Sequence, residues 1–244
     1  MSPRAFESWL FGKWGPLEKA IAARAKEIIW PEGAFCCACG RITDGDGLCS
    51  ACRESLRYDG SLFAWKRSDP APDLPAWSLR PHEGVPRRLV IRLKYNAEAR
   101  AARLLAGLLL PLPEDFALPP GTVVTWVSMP ESRRRDRAVD HGRLLAEAFA
   151  EQLSLPCRQL LDRRDRRERR QVGLNAEQRA ANLLGAFRPK ERISFPVLIV
   201  DDVRTTGATL CRCADALRAG GAEQVFALTV TARNVALSNM LDSE

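Results

Sequence analysis

At 244 residues the chain has room for one large domain or two smaller ones, and 46% hydrophobic with 27% charged residues is the balance of a packed globular protein, which excludes wholesale disorder. The net charge is +7 and the pI near 9.2. Of the 37 basic residues 31 are arginine, whose planar fork suits phosphate and carboxylate, so an anionic partner is expected: nucleic acid, a phosphorylated metabolite, or both.

Residues 3–29 carry Trp9, Leu10, Trp14, Leu17, Ile21, Ile28 and Ile29 at roughly helical spacing. They predict one or two amphipathic helices, broken near Gly12, Gly15 and Pro16. The start of the chain lacks an uninterrupted apolar h-region with a small-residue cleavage site, and no run of about 18 apolar residues follows that would span a membrane. A cytoplasmic protein with reduced cysteines is therefore expected.

Residues 35–53 hold Cys36-x-x-Cys39, nine residues, then Cys49-x-x-Cys52. Two such knuckles bring four thiolates into tetrahedral reach, so Cys36, Cys39, Cys49 and Cys52 are expected to hold a structural Zn2+ with no open coordination position. A redox pair is the competing reading. Cys37 is a neighbour of the first ligand, and Cys157, Cys211 and Cys213 are expected to serve core packing.

Residues 59–86 are rich in Pro, Ser and Asp and predict irregular chain with one short strand pair. Residues 97–110 predict a helix ended by Pro111 and Pro113. From Thr122 the pattern alternates: a β-branched strand to Val127, a helix at about 138–153, a short strand near Cys157–Leu161, a helix at about 176–184, the apolar run Val197–Val200, a helix at 208–219 and a strand from Val225 to Val230. Such alternation implies an α/β fold, a mostly parallel sheet covered by helices on both faces.

The strongest chemical signal follows Val197–Val200, where an apolar strand runs into Asp201 and Asp202 and then Thr205-Thr206-Gly207-Ala208-Thr209 opens a helix. A helix start offers unpaired N–H groups and a partial positive charge, hence an anion site. Gly207 allows close approach or a positive φ, and the threonines add hydroxyl donors. The two acids would repel phosphate, so their partners are sugar hydroxyls or a magnesium ion. A phosphate pocket beside a diol pocket suits a ribose 5-phosphate. A helix start merely capped by Asp and Thr is the alternative.

This run resembles the phosphoribosyl-pyrophosphate signature of type I phosphoribosyltransferases. A resemblance to the ComF family of competence-associated proteins extends from about residue 28 to 233. It rests on the cysteine finger, Leu93-Lys94, Met129-Pro130, Arg134 to Arg137, Gln171-Val172-Gly173-Leu174, Arg179-Ala180-Ala181-Asn182 and Ala186-Phe187. With the helical segment read at 1–30 from its periodicity, it implies a four-cysteine zinc finger at 31–57 and a phosphoribosyltransferase-like domain at 58–240. It implies that Asp201 and Asp202 contact ribose hydroxyls as the catalytic acids, and that Thr205, Thr206, Gly207, Ala208 and Thr209 wrap the 5′-phosphate. Lys94, Arg134 and Arg137 are then candidates for the pyrophosphate. An active member would displace pyrophosphate from phosphoribosyl pyrophosphate, with Mg2+ assisting. The departures fall mainly on the pyrophosphate side: Ser128-Met129-Pro130 replaces Pro-x-Pro, Ala138-Val139-Asp140-His141 replaces Gly-Phe-Asn-Gln, Glu168 and Arg170 replace a threonine and a proline, and Arg204 replaces an apolar residue.

Arg163, Arg164, Arg166, Arg167, Arg169 and Arg170 crowd eight positions. They suit closure over a polyphosphate or salt-dependent contact with a nucleic-acid backbone. Two functions follow from the resemblance: a phosphoribosyltransferase-like protein, or a non-catalytic DNA-uptake factor that binds single-stranded DNA and meets proteins of the uptake machinery.

Overall fold

The computed structural model describes residues 34–43, 47–56, 63–65, 74–96, 99–109, 112, 116–129, 140–163 and 186–233. The chain divides into two compact units, Met1–Glu54 and Ser55–Glu244. The predicted N-terminal helices, the arginine run beyond Arg163 and the helix at 176–184 lie outside the described residues.

In the first unit the backbone folds back at the first cysteine knuckle, and the second runs into a helix. Phe35 bridges Ile42 in antiparallel fashion. The Cys36 amide donates to the Arg41 carbonyl and the Gly40 amide to the Cys36 carbonyl. Helix α1 (Ser50–Glu54) follows and buries Cys52.

The second unit is a sheet between two helical layers. Its elements in chain order are β1 (Phe63–Trp65), β2 (Ala76–Pro81), α2 (Gly84–Asn96), α3 (Ala99–Ala106), a 3-10 turn (Gly107–Leu109), β3 (Val123–Trp126), α4 (His141–Leu153), β4 (Leu161–Arg163), β5 (Phe187–Pro189), β6 (Val197–Arg204), α5 (Ala208–Ala219) and β7 (Val225–Ala232). Among the described residues the main sheet runs β1-β2-β7-β6-β3, and β4 pairs with β5 separately. β2, β7, β6 and β3 are mutually parallel, and β1 alone is antiparallel to its neighbour. Parallel strands covered on both faces read as continuous apolar runs, and Val197 to Val200 are all buried. Among the described residues no helix is long and apolar enough to cross a membrane.

One face carries α5 and the antiparallel β4–β5 pair. Val197, Ile199, Val225 and Ala227 from the sheet pack there with Leu210, Cys211, Cys213, Ala214 and Leu217 from α5. Cys211 and Cys213 are therefore core residues, while Cys157 is half-buried. The other face carries α2, α3 and α4, with α2 touching β7 and α4 touching β3 and β6.

Two predicted elements differ. The helix expected at 97–110 is the shorter α3 with its 3-10 turn, and α2 precedes it from Gly84. Pro86 lies in the first turn of α2, where no backbone N–H is required, so the helix accommodates it. The strand ending in the two acids continues through them to Arg204, because β7 extends alongside and pairs Val203 with Thr231 and Arg204 with Ala232.

Candidate functional site

The parallel strands bring their carboxyl ends to one edge, where ligands bind in open α/β sheets. Successive strand residues face opposite sides, so Asp201 and Asp202 diverge. Asp202 turns toward α2 and α4. It is 6% exposed, with Lys94 Nζ 2.8 Å from Oδ1 and His141 Nε2 3.6 Å from Oδ2. Asp201 turns toward α5 and is half-buried. Its Oδ1 accepts from the Asp202 amide at 2.9 Å. Burial, and then the neighbouring Asp202 charge, push the Asp201 carboxyl up to about 7 against the pull of that amide, Lys94 and Arg163.

The turn after β6 exposes Thr205 and Thr206, and Thr206 Oγ1 accepts from the Ala208 amide at 3.4 Å. Gly207 caps α5 at φ 74°, ψ 0° and, having no side chain, bonds none of the first-turn amides itself. That left-handed geometry is the one a residue without Cβ adopts freely, and it leaves the helix start to present its amides outward. Ala208 and Thr209 are half-buried at the same place.

His82 follows the last residue of β2. Its Nδ1 lies 2.8 Å from Thr231 Oγ1, and that hydroxyl donates to the Asp202 carbonyl at 3.2 Å. A hydroxyl has one hydrogen, so His82 Nδ1 is the donor in that pair. Burial, Arg233, Lys94 and Arg87 hold the His82 imidazolium below the usual range, while Asp202 opposes them. Arg204 is also buried, with Nε donating to Ser78 Oγ at 3.1 Å. Ser78 Oγ in turn lies 2.7 Å from Thr229 Oγ1.

His141 begins α4, and Asp140 caps that helix. Asp140 Oδ1 accepts from the amides of Gly142 (3.0 Å) and Arg143 (3.3 Å), and Oδ2 accepts from Trp126 Nε1 at 3.2 Å. Asp and Asn cap equally well, so the replacement of Asn by Asp140 keeps the helix start.

The edge thus gathers Lys94, Asp201, Asp202 and the turn 205–209, all named from the sequence. Arg134 and Arg137 lie outside the described residues. His82 and His141 were not singled out as site residues, although one signal was available: the chain has only two histidines, and each adjoins a strand end or a helix start.

In the first unit the sulfurs of Cys36, Cys39, Cys49 and Cys52 lie within 4.8 Å of one another. Cys39 Sγ and Cys49 Sγ are 3.6 Å apart. Tetrahedral zinc with bonds of about 2.3 Å sets its sulfurs about 3.8 Å apart, so the cluster fits a structural zinc. For Cys36, burial is outweighed by the amides of Cys49, Cys39 and Ala38, which bring it down to about 6. Burial, hydrogen bonds from the other three thiols and the Cys36 charge push Cys52 up to about 12. One thiolate suppresses the next, and a dication relieves that repulsion.

The molecule is an α/β protein: one unit is a mostly parallel sheet with helices on both faces, and the other holds a four-cysteine cluster. Solved structures similar to it include the glutamine phosphoribosylpyrophosphate amidotransferase of B. subtilis, 18% identical, with 52% of this chain and 24% of that one covered and a TM-score of 0.37. The adenine phosphoribosyltransferase of Leishmania tarentolae is 11% identical, with 75% of this chain and 88% of that one covered and a TM-score of 0.34. The chain spans about a quarter of the amidotransferase's length. No protein-family model matches the chain. Among curated proteins it is a homologue of Competence protein F of Haemophilus influenzae Rd, 28% identical over 203 residues that cover 74% of this chain and 88% of the relative.

Proposed function

We propose that this chain is a ComF-type, phosphoribosyltransferase-like protein that binds phosphoribosyl pyrophosphate, or a related ribose 5-phosphate, at the turn between β6 and α5. The observation that carries the reading is the left-handed Gly207 cap, which opens the start of α5 beside Asp201 and Asp202 at the carboxyl edge. The 5′-phosphate meets the helix start and the hydroxyls of Thr205, Thr206 and Thr209. Asp201, on the α5 side, accepts from a ribose hydroxyl. Asp202 holds the Lys94 ammonium at the edge, and in this reading Lys94 takes the pyrophosphate, with Arg134 and Arg137 as the further candidates that the sequence names. Transfer would form a bond from a nucleophile to the anomeric carbon as the bond to pyrophosphate breaks, the electron pair leaving with pyrophosphate.

The two acids do not by themselves fit a magnesium site. They face opposite sides of β6, and Asp202 already has Lys94 on one oxygen and His141 near the other. Magnesium belongs to this reading as a companion of the ligand's phosphates.

Titration calorimetry tests the binding. The parent is expected to bind phosphoribosyl pyrophosphate and ribose 5-phosphate. Gly207→Asp is expected to bind more than about tenfold more weakly, because aspartate tolerates the left-handed region while its carboxylate repels phosphate. A parent that binds neither ligand overturns the reading.

The similarity to Competence protein F supports a second proposal, a cytoplasmic factor in DNA uptake that handles single-stranded DNA alongside proteins of the uptake machinery. Deletion in the source organism with loss of transformability is its test. Unchanged transformability would refute it.

A further inference from the structure

We propose that His82 is the general base of the transfer, the group that takes the proton from the acceptor nucleophile, an inference that rests on the sugar-phosphate reading of the turn between β6 and α5. His82 directly follows β2, so it stands at the carboxyl edge of the sheet. Its backbone amide donates to the Ala232 carbonyl at 2.9 Å, which fastens it to the end of β7. Ala76 of β2 and Ala227 of β7 pack with α5. By alternation Thr229 and Thr231 follow Ala227 on the α5 side, and Asp201, the register partner of Thr229, lies there too. The imidazole meets Thr231, so it stands on the same side of the sheet as Asp201. β2 and β6 flank β7, which puts their ends about 10 Å apart at roughly 4.8 Å per strand. An acceptor attacking a sugar held by Asp201 therefore comes within reach of a side chain at the end of β2.

A general base needs a lone pair, and the hydrogen bonds of His82 fix where it lies. Thr231 Oγ1 uses its one hydrogen on the Asp202 carbonyl at 3.2 Å, so it accepts from Nδ1 across 2.8 Å. A neutral ring with its hydrogen on Nδ1 carries the lone pair on Nε2. Among the described residues no hydrogen bond occupies Nε2, and the side chain is only half-buried. Burial, Arg233, Lys94 and Arg87 disfavour the imidazolium against the charge of Asp202, which keeps that lone pair available at neutral pH. The bond to Thr231 survives protonation, because Nδ1 donates in both states of the ring.

As the attacking atom bonds to the anomeric carbon, its proton moves to Nε2. The bond to pyrophosphate breaks with the electron pair leaving on pyrophosphate, and the imidazolium returns its proton to solvent. The acceptor class is accordingly a nucleophile with an N–H or O–H at the attacking atom.

Pyrophosphate release from phosphoribosyl pyrophosphate and Mg2+, with water as the acceptor, tests this on the full zinc-loaded chain, beside calorimetric binding of the same ligand. His82→Asn keeps an N–H at the place of Nδ1 and removes Nε2. The variant is expected to bind within about twofold of the parent and to release pyrophosphate about 100-fold more slowly. The parent's rate is expected to fall as pH drops below 6.5, the ordinary imidazole value, and the variant to lack that fall. Asp201, which titrates at about 7, is present in both proteins and cancels in the comparison. A merely structural His82 would alter binding or melting and leave the acid fall in place. The chain has only two histidines, so nitrogen NMR identifies His82 by the signals lost in His82→Asn, and its hydrogen is expected on Nδ1. A parent that binds the ligand yet releases no pyrophosphate above the uncatalysed rate overturns this inference and leaves the binding reading standing. A His82→Asn rate equal to the parent's, an acid fall that persists in the variant, or a hydrogen found on Nε2 does the same. A parent that binds no ligand overturns both.

Discussion

Asp201 and Asp202 are joined by one peptide bond and live in different surroundings. Asp202 is buried against a lysine and a histidine, while Asp201 sits above the start of α5 and keeps its proton to about 7. That value sets a pH dependence. Below the ordinary 3.8 both the folded and the unfolded chain hold the proton. Between 3.8 and about 7 the folded state keeps a proton that the unfolded state gives up, so the associated stability declines as pH rises and is gone above 7. Asp201→Asn removes this dependence and keeps an acceptor for the Asp202 amide. The variant's melting temperature is expected to match the parent's near pH 4, to exceed it increasingly up to about pH 7, and to keep a constant lead beyond. An equal difference at every pH would show that the Asp201 carboxyl is not held protonated. The sequence announced both acids by their adjacency, yet it did not reveal that their partners differ, because those partners arrive from separate helices.

At the scale of the element, α4 and α5 begin in opposite ways. Asp140 closes the start of α4 with its carboxylate, whereas Gly207 leaves the start of α5 without a side-chain cap. The closed start positions His141 near Asp202, and the open one suits an anion. Asp140→Ala is expected to lower stability by about 1 kcal/mol in urea denaturation. Asp140→Asn keeps the cap, gives up the bond to Trp126, and is expected to fall between parent and alanine variant. Equal stability of all three would show that the cap contributes nothing. The bounds of α5 were legible to the residue, since a glycine start and a Gly220-Gly221 stop bracket an amphipathic run. α2 was not, because its apolar positions Leu89, Val90 and Leu93 are interspersed with arginines and gain an apolar partner only when the sheet packs against them.

At the scale of the whole molecule, the two units draw their stability from different sources. The sheet unit has a core on both faces. The cysteine unit brings four sulfurs together, and a metal bound there would contribute folding free energy. Treatment with a strong chelator is expected to expose the segment around Cys36 to Cys52 to proteolysis while the far-UV signal of the sheet unit persists. Cys52→Ser is expected to lower zinc content measured by atomic absorption. A cysteine unit that resists protease after zinc is removed would show that its stability comes from elsewhere.

The sequence by itself determined whatever depends on short covalent spacing: the two cysteine knuckles, the strand, turn and helix around residues 197–219, and the alternation that implies a parallel sheet. Backbone geometry carries such information across a few residues, so neighbours in sequence suffice to read it. Only the tertiary structure decided which side of β6 each acid faces, that Lys94 and His141 flank Asp202, and that His82 joins the same edge. These depend on elements far apart in the chain meeting across a sheet, and the burial and charge that give each side chain its role exist only once that packing has formed.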